Sequence, residues 1–223
     1  MVIILPSVEI EEFDGVKMLR KIEEAGRTWY KSEELMYAES HKSFIKNILQ
    51  RGHESVLEHE KITVRVVCDR GVTHEIVRHR IGSYSQESTR YVNYNKKGME
   101  FVNPCFWVEI TGDEDKKAYR HELWLSHMKQ CEKTYNKLIE SGAKPEEARS
   151  VLPNSLKTEI VITYNLREWR HFLKLRCANT AHPQMREVAH KILRQLKERL
   201  PVVFDDIFYA TFPEEILIQQ GII

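Results

Sequence analysis

The sequence predicts an α+β fold: a single domain over residues 1–223, with a mainly antiparallel central sheet flanked by helices. Segments in which apolar side chains alternate, a pattern typical of half-buried strands, lie at 61–69 and 158–164. Segments with apolar residues three or four positions apart, typical of helices, lie between and beyond them. The two kinds are mixed without the regular strand-helix alternation of a parallel sheet, and 223 residues suffice for one core.

The first part of the chain predicts strands and short helices. In order, these are a strand at 2–10, a helix at 15–30, a helix at 41–50, a strand at 61–69, a short helix at 71–80 and an extended or looped segment at 81–89. The first helix has Val16, Leu19 and Ile22 at three-residue spacing, and Gly52 is a plausible cap of the second. A loop is therefore expected from His53.

The second part predicts mainly helices. In order, these are a strand at 101–110 interrupted at Pro104, a helix at 113–141, a helix from Pro145 closed by Pro153, a strand at 158–164, and helices at 166–177 and 183–200. The long helix carries a broken apolar stripe of Tyr119, Leu123, Met128, Tyr135, Leu138 and Ile139. Pro201 is expected to end the last helix.

Composition and charge exclude several classes of protein. Hydrophobic residues at 42% and charged residues at 30% are typical of a soluble globular protein, and a net charge of +1 argues against a general nucleic-acid binder. No apolar stretch approaches about 20 residues and no basic leader begins the chain, so neither a membrane span nor secretion is predicted. The cysteines at 68, 105, 131 and 177 form no CxxC pair, which favours a reducing cytoplasm.

The densest group of polar residues lies at 75–90, with the sequence EIVRHRIGSYSQESTR. Its arginines favour an anionic ligand, because a planar guanidinium stays charged and donates paired hydrogen bonds to phosphates or carbonyls. Gly82 would let the backbone approach a flat ligand, and Tyr84 and Tyr91 would stack on rings or pack. The same composition also fits a solvated, arginine-rich helix end followed by a polar loop.

The segment RHRIGSYSQES resembles the signature of the flavin-dependent thymidylate synthases, in which Arg-His-Arg is followed after seven residues by Ser. The segment GHESVLEH at 52–59 is similar to the family's Gly-His-Glu-x-x-x-Glu-His segment. Further matches downstream are ARSVLP at 148–153, Asn165, Arg167, His171 and LKLR at 173–176. The resemblance spans roughly residues 35–205 and implies the family's fold.

The resemblance implies a flavin site and a nucleotide site. The residues expected around FAD are Ser55, Arg78, His79, Arg80, Gln86, Asn165, Arg167 and His171, with His53 near the flavin ring. Those expected around dUMP are Glu75, Arg78, Gln86, Glu87, Ser88, Thr89, Arg90, Arg149 and Arg176. The chain departs from the family at three places: some members have Gln and Glu where it has Glu75 and Gln86, and many have Gln-Trp where it has His182-Pro183.

The activity implied by the resemblance is conversion of dUMP to dTMP for de novo dTMP biosynthesis. The carbon donor would be 5,10-methylenetetrahydrofolate, and hydride from NADPH would pass through FAD. Arg176 and His53 are the expected catalytic residues, because a cation beside the uracil carbonyls stabilises negative charge on the ring. Ser88 is expected to bind dUMP and not to attack it, since no Ser-His-acid arrangement surrounds it. No cysteine lies in the context of a nucleophile.

The resemblance also implies a homotetramer with active sites shared between subunits. FAD would lie between chains, where 78–90 of one chain meets 165–176 of a neighbour. No GxGxxG lies between a predicted strand and helix, so a Rossmann dinucleotide site is not expected.

Three alternatives remain at the level of sequence. The pairs His53-Glu54 and His74-Glu75 begin like a zincin motif, but Leu57 and Arg78 stand where the second histidine belongs, so no metal site is predicted. A single-stranded nucleic-acid-binding module would use the arginines of 78–90 with tyrosines as stacking surfaces, although near-neutral charge weighs against it. A flavin reductase would bind FAD without depending on dUMP.

Overall fold

A four-stranded antiparallel sheet forms the centre of the computed structural model, which describes residues 1–107 and 114–213. The strands are β1 (Val2–Ile4), β2 (Ser7–Ile10), β3 (Lys61–Asp69), β4 (Ser83–Gln86), β5 (Glu100–Val102) and β6 (Lys157–Asn165). The central sheet has the order β2-β3-β6-β4, and β3 pairs with β6 from Lys61 opposite Asn165 to Asp69 opposite Lys157. The strands β1 and β5 form a separate parallel pair. The predicted fold class is confirmed.

Helices surround this sheet. They are α1 (Gly15–Tyr30), α2 (Ser40–Gln50), α3 (Arg70–Ile76), α4 (Tyr94–Lys97), α5 (Glu114–Glu140), α6 (Pro145–Ala148), α7 (Leu166–Arg176), α8 (Pro183–Arg199) and α9 (Pro201–Thr211). Short 3₁₀ helices cover Glu33–Leu35, Glu54–His59, Cys105–Trp107 and Arg149–Val151. None of the helices in the described ranges is long and apolar enough to cross a bilayer.

Side-chain caps set where the helices near the sheet begin. Asp69, the last residue of β3, accepts a hydrogen bond from the Val72 amide at 2.8 Å and so starts α3. Asn165, the last residue of β6, accepts one from the Glu168 amide at 2.8 Å and so starts α7. Because β3 and β6 are antiparallel, α3 and α7 leave opposite ends of the strand pair.

Two clusters of buried apolar side chains lie in the described residues. The larger cluster covers one face of the sheet, where Val64, Val66, Ile160 and Ile162 pack with residues of α1, α7, α8 and α9. The smaller cluster joins β5 and α5 through Phe101, Trp124, Met128, Tyr135 and Leu156. The alternate residues of β3 and β6, such as the ion pair Arg65 and Glu159, point to the other face. The single domain over 1–223 stays a prediction.

In the first half of the chain, Pro6 explains one wrong prediction and Gly52 confirms another prediction. The strand predicted at 2–10 is two strands, because Pro6 lacks an amide proton, and β1 pairs with β5 while β2 pairs with β3. Gly52 adopts a φ of 71° and its amide donates to the Leu49 carbonyl, which confirms the predicted glycine cap. The helix predicted at 71–80 ends at Ile76, and β4 lies within the segment predicted as extended.

Three predictions in the second half need correction. The strand predicted at 101–110 ends at Val102 and gives way to a 3₁₀ helix, and residues 108–110 lie outside the described ranges, as does Asp113 at the predicted start of the long helix. In α5, Tyr119 and Leu123 are exposed, because the buried stripe runs through Trp124, Met128, Cys131 and Tyr135. Pro201 ends α8 as predicted but also begins α9, which the sequence analysis missed.

Candidate active site

Arg176, in the last turn of α7, is held by three hydrogen bonds. Its Nε donates to Nε2 of His79 at 3.0 Å, its Nη1 donates to the Glu75 carboxylate at 2.7 Å, and its Nη2 donates to the Glu75 carbonyl oxygen at 3.0 Å. A guanidinium has five N–H donors, so one N–H on each Nη atom is left for another acceptor. Three predicted site residues therefore meet at the C-terminal end of α3.

His79 is buried between α3 and α7. Its Nδ1 lies 3.1 Å from the Glu168 carboxylate, and its ring packs against Phe172 at 4.9 Å and His171 at 5.6 Å. Burial lowers the pKa of His79, against the hydrogen bond to Glu168, and the charge of Arg176 lowers it further. Because Nε of Arg176 can only donate, Nε2 of His79 must accept, and the neutral ring carries its proton on Nδ1.

Two tyrosines hold the Arg78-His79-Arg80 segment against the sheet. The hydroxyls of Tyr84 and Tyr164 lie 2.6 Å apart, and both lie within hydrogen-bonding distance of the Ile76 carbonyl at the end of α3. The Tyr84 hydroxyl also contacts the carbonyl oxygen of His79. Burial raises the pKa of both tyrosines, so they remain protonated donors for these helix-end carbonyls.

Gly82 lies where the backbone passes close to Tyr164. A Cβ atom at this position would lie 2.2 Å from the Tyr164 ring and 3.1 Å from the carbonyl oxygen of Thr163. The sequence interpretation assigned Gly82 to the approach of a flat ligand. The structure gives a reason within the chain instead, because only glycine leaves room for this tyrosine.

A depression of about 490 Å³ lies beside His79 at the N-terminal end of α7. It is lined by Glu54, Glu58, Ile81, Asn165, Arg167, Glu168, His171 and Lys174. Three predicted flavin residues, Asn165, Arg167 and His171, therefore line one depression. Arg167 pairs with Glu58 at 2.6 Å, and the Asn165 side-chain oxygen caps α7.

The predicted residues His53 and Ser55 flank Glu54 at one rim of this depression, and both are exposed. Glu54 accepts hydrogen bonds from Nε and Nη2 of Arg170 at 3.3 and 3.2 Å. Because Arg170 belongs to α7, this contact fixes the segment of His53 and Ser55 to the helix that carries Arg167 and His171.

Arg78 and Arg80 are exposed, and within the described ranges they form no side-chain hydrogen bond or ion pair. Their charges are therefore available to an anionic ligand. The sequence analysis expected the segments 78–90 and 165–176 to meet between two subunits. In the structure His79 and Arg176 of these segments meet within one chain.

The other predicted nucleotide residues lie away from Arg176. Gln86 and Glu87 line a groove of about 710 Å³ with Tyr94 and Lys157, and Glu87 accepts hydrogen bonds from both of these side chains at 3.1 Å. The amide nitrogen of Gln86 donates to the hydroxyls of Thr73 and Thr158 at 3.0 and 3.2 Å. Within one described chain, no hydrogen bond or ion pair joins this group to Arg176.

The turn that follows β4 contains the remaining motif residues. The Ser88 hydroxyl accepts a hydrogen bond from the Arg90 amide at 3.3 Å, and the side chain of Arg90 lies over the Tyr91 ring. Thr89 is buried, whereas Arg149 is exposed on its 3₁₀ helix. No histidine in the described ranges hydrogen-bonds to Ser88, and its role in binding dUMP stays a prediction.

The cysteines also fit the absence of a protein nucleophile. Cys68, Cys131 and Cys177 are buried, and burial raises the pKa of each thiol, that of Cys177 to about 12. A thiol must ionise to attack, so these three are unreactive near neutral pH.

Sequence reasoning missed Glu168, which is buried and contacts His79. A signal was present, because Glu168, Phe172 and Arg176 are spaced four residues apart and so share one face of α7. The ligand atoms of His79, Glu168 and His171 lie within 4.8 Å of one another, a spacing that would suit a metal ion. However, both His79 nitrogens already form hydrogen bonds and the Arg176 cation lies beside them, so these contacts favour an ordered polar network.

The chain matches a known protein family and several of its members. The model of the family described as thymidylate synthase complementing protein matches residues 16–202. A protein of Geobacter sulfurreducens named flavin-dependent thymidylate synthase is 38% identical over 165 residues, which cover 74% of this chain and 68% of that protein. The chain belongs to the flavin-dependent thymidylate synthase family.

Other members of the flavin-dependent thymidylate synthase family are similar over comparable lengths. The relative from Corynebacterium aurimucosum is 34% identical to this chain, and the match covers 86% of this chain and 81% of the relative. The relative from Pyrococcus abyssi is 38% identical, and the match covers 71% of this chain and 63% of the relative. The solved structure of PolB from Streptomyces cacaoi, described as a UMP/dUMP methylase bound with 5-Br dUMP, has a TM-score of 0.79 and 24% identity over 94% of this chain and 97% of that one. This likeness shows that the fold is shared.

Proposed function

We propose that the protein is a thymidylate synthase that methylates dUMP to dTMP. The carbon donor is 5,10-methylenetetrahydrofolate, and NADPH provides the hydride through FAD. The observation that carries the proposal is the fixed guanidinium of Arg176, which has an unused N–H on each Nη atom beside the family's Arg-His-Arg motif. Such a pair of donors suits the carbonyl oxygens of uracil, and N3 accepts as well once it has lost its proton.

The depression at the start of α7 supports a flavin site. Its rim carries Arg167 and Lys174, which are paired with Glu58 and Glu54. The neighbouring motif carries Arg78 and Arg80, which are exposed and form no ion pair in the described residues, and these two arginines fit the pyrophosphate of FAD. The exposed rings of His53 and His171 lie on the segments around it and suit contact with a flat ring. When bound, the flavin supplies the hydride chemistry that protein side chains lack.

Each remaining residue then has a physical task. Arg176 stabilises negative charge on the uracil ring, while Ser88, Arg78 and Arg90 bind dUMP. In the described residues, burial raises the pKa of the Cys68, Cys131 and Cys177 thiols and Ser88 has no neighbouring base, which supports binding of dUMP without a covalent bond to the protein. Positioning of the reactants accounts for most of the rate.

The separation of the predicted dUMP residues supports a homotetramer with shared sites. Gln86 and Glu87 line a groove that Arg176 does not line, and a nucleotide bound by residues of both groups fits a site to which two copies contribute. Mixing inactive Arg149→Ala and Arg176→Ala chains, followed by subunit exchange, tests this arrangement. Shared sites predict that some mixed sites regain both arginines and activity, whereas sites within one chain predict no recovery.

An omission assay tests the activity itself. Purified protein is incubated with dUMP, 5,10-methylenetetrahydrofolate, NADPH and FAD, and each component is left out in turn while dTMP is measured. The proposal requires dTMP only in the complete mixture. Oxidation of NADPH that needs FAD but not dUMP would indicate a flavin reductase, and the absence of a flavin absorbance band on the protein would refute the flavin site. The cytoplasmic location stays a prediction.

A further inference from the structure

A chain of hydrogen bonds links Glu168 to Arg176. The Glu168 carboxylate lies 3.1 Å from Nδ1 of His79, and Nε2 of the same ring accepts from Nε of Arg176 at 3.0 Å. Glu168 and His79 are only 7% and 6% exposed, so water does not substitute for either contact. Glu168 makes no hydrogen bond to Arg176 in the described residues, and any effect on the arginine passes through the imidazole.

We propose that Glu168 is a positioning residue that aligns Arg176 by fixing the tautomer of His79. The proposal rests on the function proposed above. In the neutral imidazole of His79, the nitrogen that carries the proton donates a hydrogen bond and the other nitrogen accepts one, so the position of the proton decides what each neighbour meets. Glu168 accepts only, so it selects the proton on Nδ1 and leaves the Nε2 lone pair for Arg176.

With Glu168, both neighbours of the ring favour the proton on Nδ1, whereas without Glu168 only Arg176 opposes the other tautomer, which would aim an N–H group at the N–H of Arg176. Two donors facing each other repel, so the guanidinium would leave its alignment with Glu75 and lose the orientation of its two unused N–H groups. A catalytic group that moves by about 1 Å loses on the order of 100-fold in rate. The carboxylate therefore acts on the reaction without touching the substrate.

The surroundings of His79 define how this network responds to pH. The groups that face the ring are Glu168, Arg176 and His171, with the uncharged rings of Tyr164 and Phe172. Protonation of Nε2 would remove the acceptor of Arg176. Burial and the charges of Arg176 and His171 oppose protonation and hold the pKa of His79 low, whereas Glu168 favours it.

The test compares Glu168→Ala with Glu168→Gln in the holoenzyme. Glu168→Ala should lower kcat for dTMP formation about 100-fold, with a much smaller change in KM for dUMP. Glu168→Gln keeps an oxygen acceptor for Nδ1 of His79, so its kcat should lie within about tenfold of the wild-type value. It should also shift the acid limb of the kcat profile to lower pH, because the carboxylate charge that favours His79 protonation is gone. Glu198→Ala, which removes an exposed acid from α8, serves as the control.

A double-mutant cycle separates positioning from a general loss of structure. In an Arg176→Lys background no Nε–H remains to align, so Glu168→Ala should cost less than about twofold in turnover or in dUMP affinity measured by calorimetry. An undiminished cost in that background, or an unmoved acid limb in Glu168→Gln, overturns the proposal. Failure of the proposed function is a separate result, in which the wild type forms no dTMP. In that case imidazole ¹⁵N chemical shifts still test the role of Glu168. The wild type should carry the His79 proton on Nδ1, and Glu168→Ala should lose this preference.

Discussion

The guanidinium of Arg170 and the carboxylate of Asp206 form two hydrogen bonds, of 2.8 and 2.7 Å, that tie α7 to α9. The arginine side chain is 2% exposed, and it also contacts Glu54 and the carbonyl oxygen of Val203. One buried cation thus joins α9, α7 and the segment after His53. Burial alone would raise the pKa of Asp206, but the hydrogen bond and charge of Arg170 outweigh it and hold that pKa below its usual value.

Removing the carboxylates of Asp206 and Glu54 together should lower the free energy of unfolding by more than the sum of the two single changes. Asp206→Ala should lower the free energy of unfolding by about 1 kcal/mol, because this half-exposed carboxylate leaves Arg170 still paired with Glu54, and Glu54→Ala should behave similarly. The double variant leaves a buried guanidinium without a carboxylate and should cost about 3–5 kcal/mol. Urea unfolding measures these values, with the exposed Glu198→Ala as control. Strict additivity would contradict the shared role of Arg170.

Gly82→Ala should disturb the motif through Tyr164. A Cβ atom 2.2 Å from the Tyr164 ring must displace the ring or the strand, which costs about 1–3 kcal/mol of unfolding free energy. The neighbouring change Ser83→Ala, at an exposed position of β4, should be close to neutral. If the clash with the ring is the cause, Gly82→Ala should add little cost in a Tyr164→Ala background. An equal cost in both backgrounds would point to the backbone instead.

Patterns within about ten residues were enough to predict most elements of this fold. The bounds of α1 and β3 match the prediction because alternation, periodicity and caps act locally. The failures depend on distant partners. Whether 2–10 is one strand or two depends on pairing with β5 and β3, and α9 is stabilised by packing on α8 and by Arg170 across 36 residues of chain.

The sequence named most residues of the candidate site but not the hydrogen bonds between them. The motif and family resemblance named His79, Glu75 and Arg176, yet nothing in the spacing showed that these three side chains share hydrogen bonds across about 100 residues of sequence. Glu168 was missed because a lone acid in a helix is usually solvated. Its partner His79 lies 89 positions earlier in the chain, and local patterns do not reveal a contact over that separation.

Arg176→Ala should reduce dTMP formation severely while flavin stays bound. Removing a donor that stabilises developing charge typically costs about 100- to 1,000-fold in kcat. The guanidinium contacts Glu75 and His79 and does not line the depression assigned to flavin, so the flavin absorbance of the protein should persist. Arg167→Ala is the matched contrast, since it removes a cation from that depression and should weaken FAD binding. Normal turnover in Arg176→Ala would remove its catalytic assignment.

Ser88→Ala should weaken dUMP binding and leave measurable turnover. The hydroxyl accepts the Arg90 amide at 3.3 Å and has no neighbouring base in the described residues, so it lacks the activation that a nucleophile requires. Calorimetry measures dUMP binding, and an assay at saturating dUMP measures turnover. Together they distinguish a binding role of Ser88 from a nucleophilic one. Complete loss of turnover with unchanged binding would support a nucleophilic serine.

The buried His79 and the half-buried His190 should make the protein less stable in mild acid. Burial lowers the pKa of His190, against a hydrogen bond that its ring donates to the Cys177 backbone carbonyl, and burial also lowers the pKa of His79. Below the ordinary histidine value of about 6.5 the unfolded chain therefore binds more protons than the folded one. The free energy of unfolding contains this contribution fully above about pH 6.5 and loses it as pH falls towards the lowered folded values.

The variant His190→Gln isolates one of these histidines from acidic groups that titrate nearby. The His190 Nε2 atom is buried without a hydrogen-bond partner and the ring packs on Phe212 at 4.8 Å, so protonation has no compensating contact in the described structure. Between pH 7.5 and 5.5 the wild type should lose more unfolding free energy than His190→Gln, as measured by urea titrations at each pH. Parallel losses would mean that His190 titrates alike in both states, because only a difference in bound protons makes stability depend on pH.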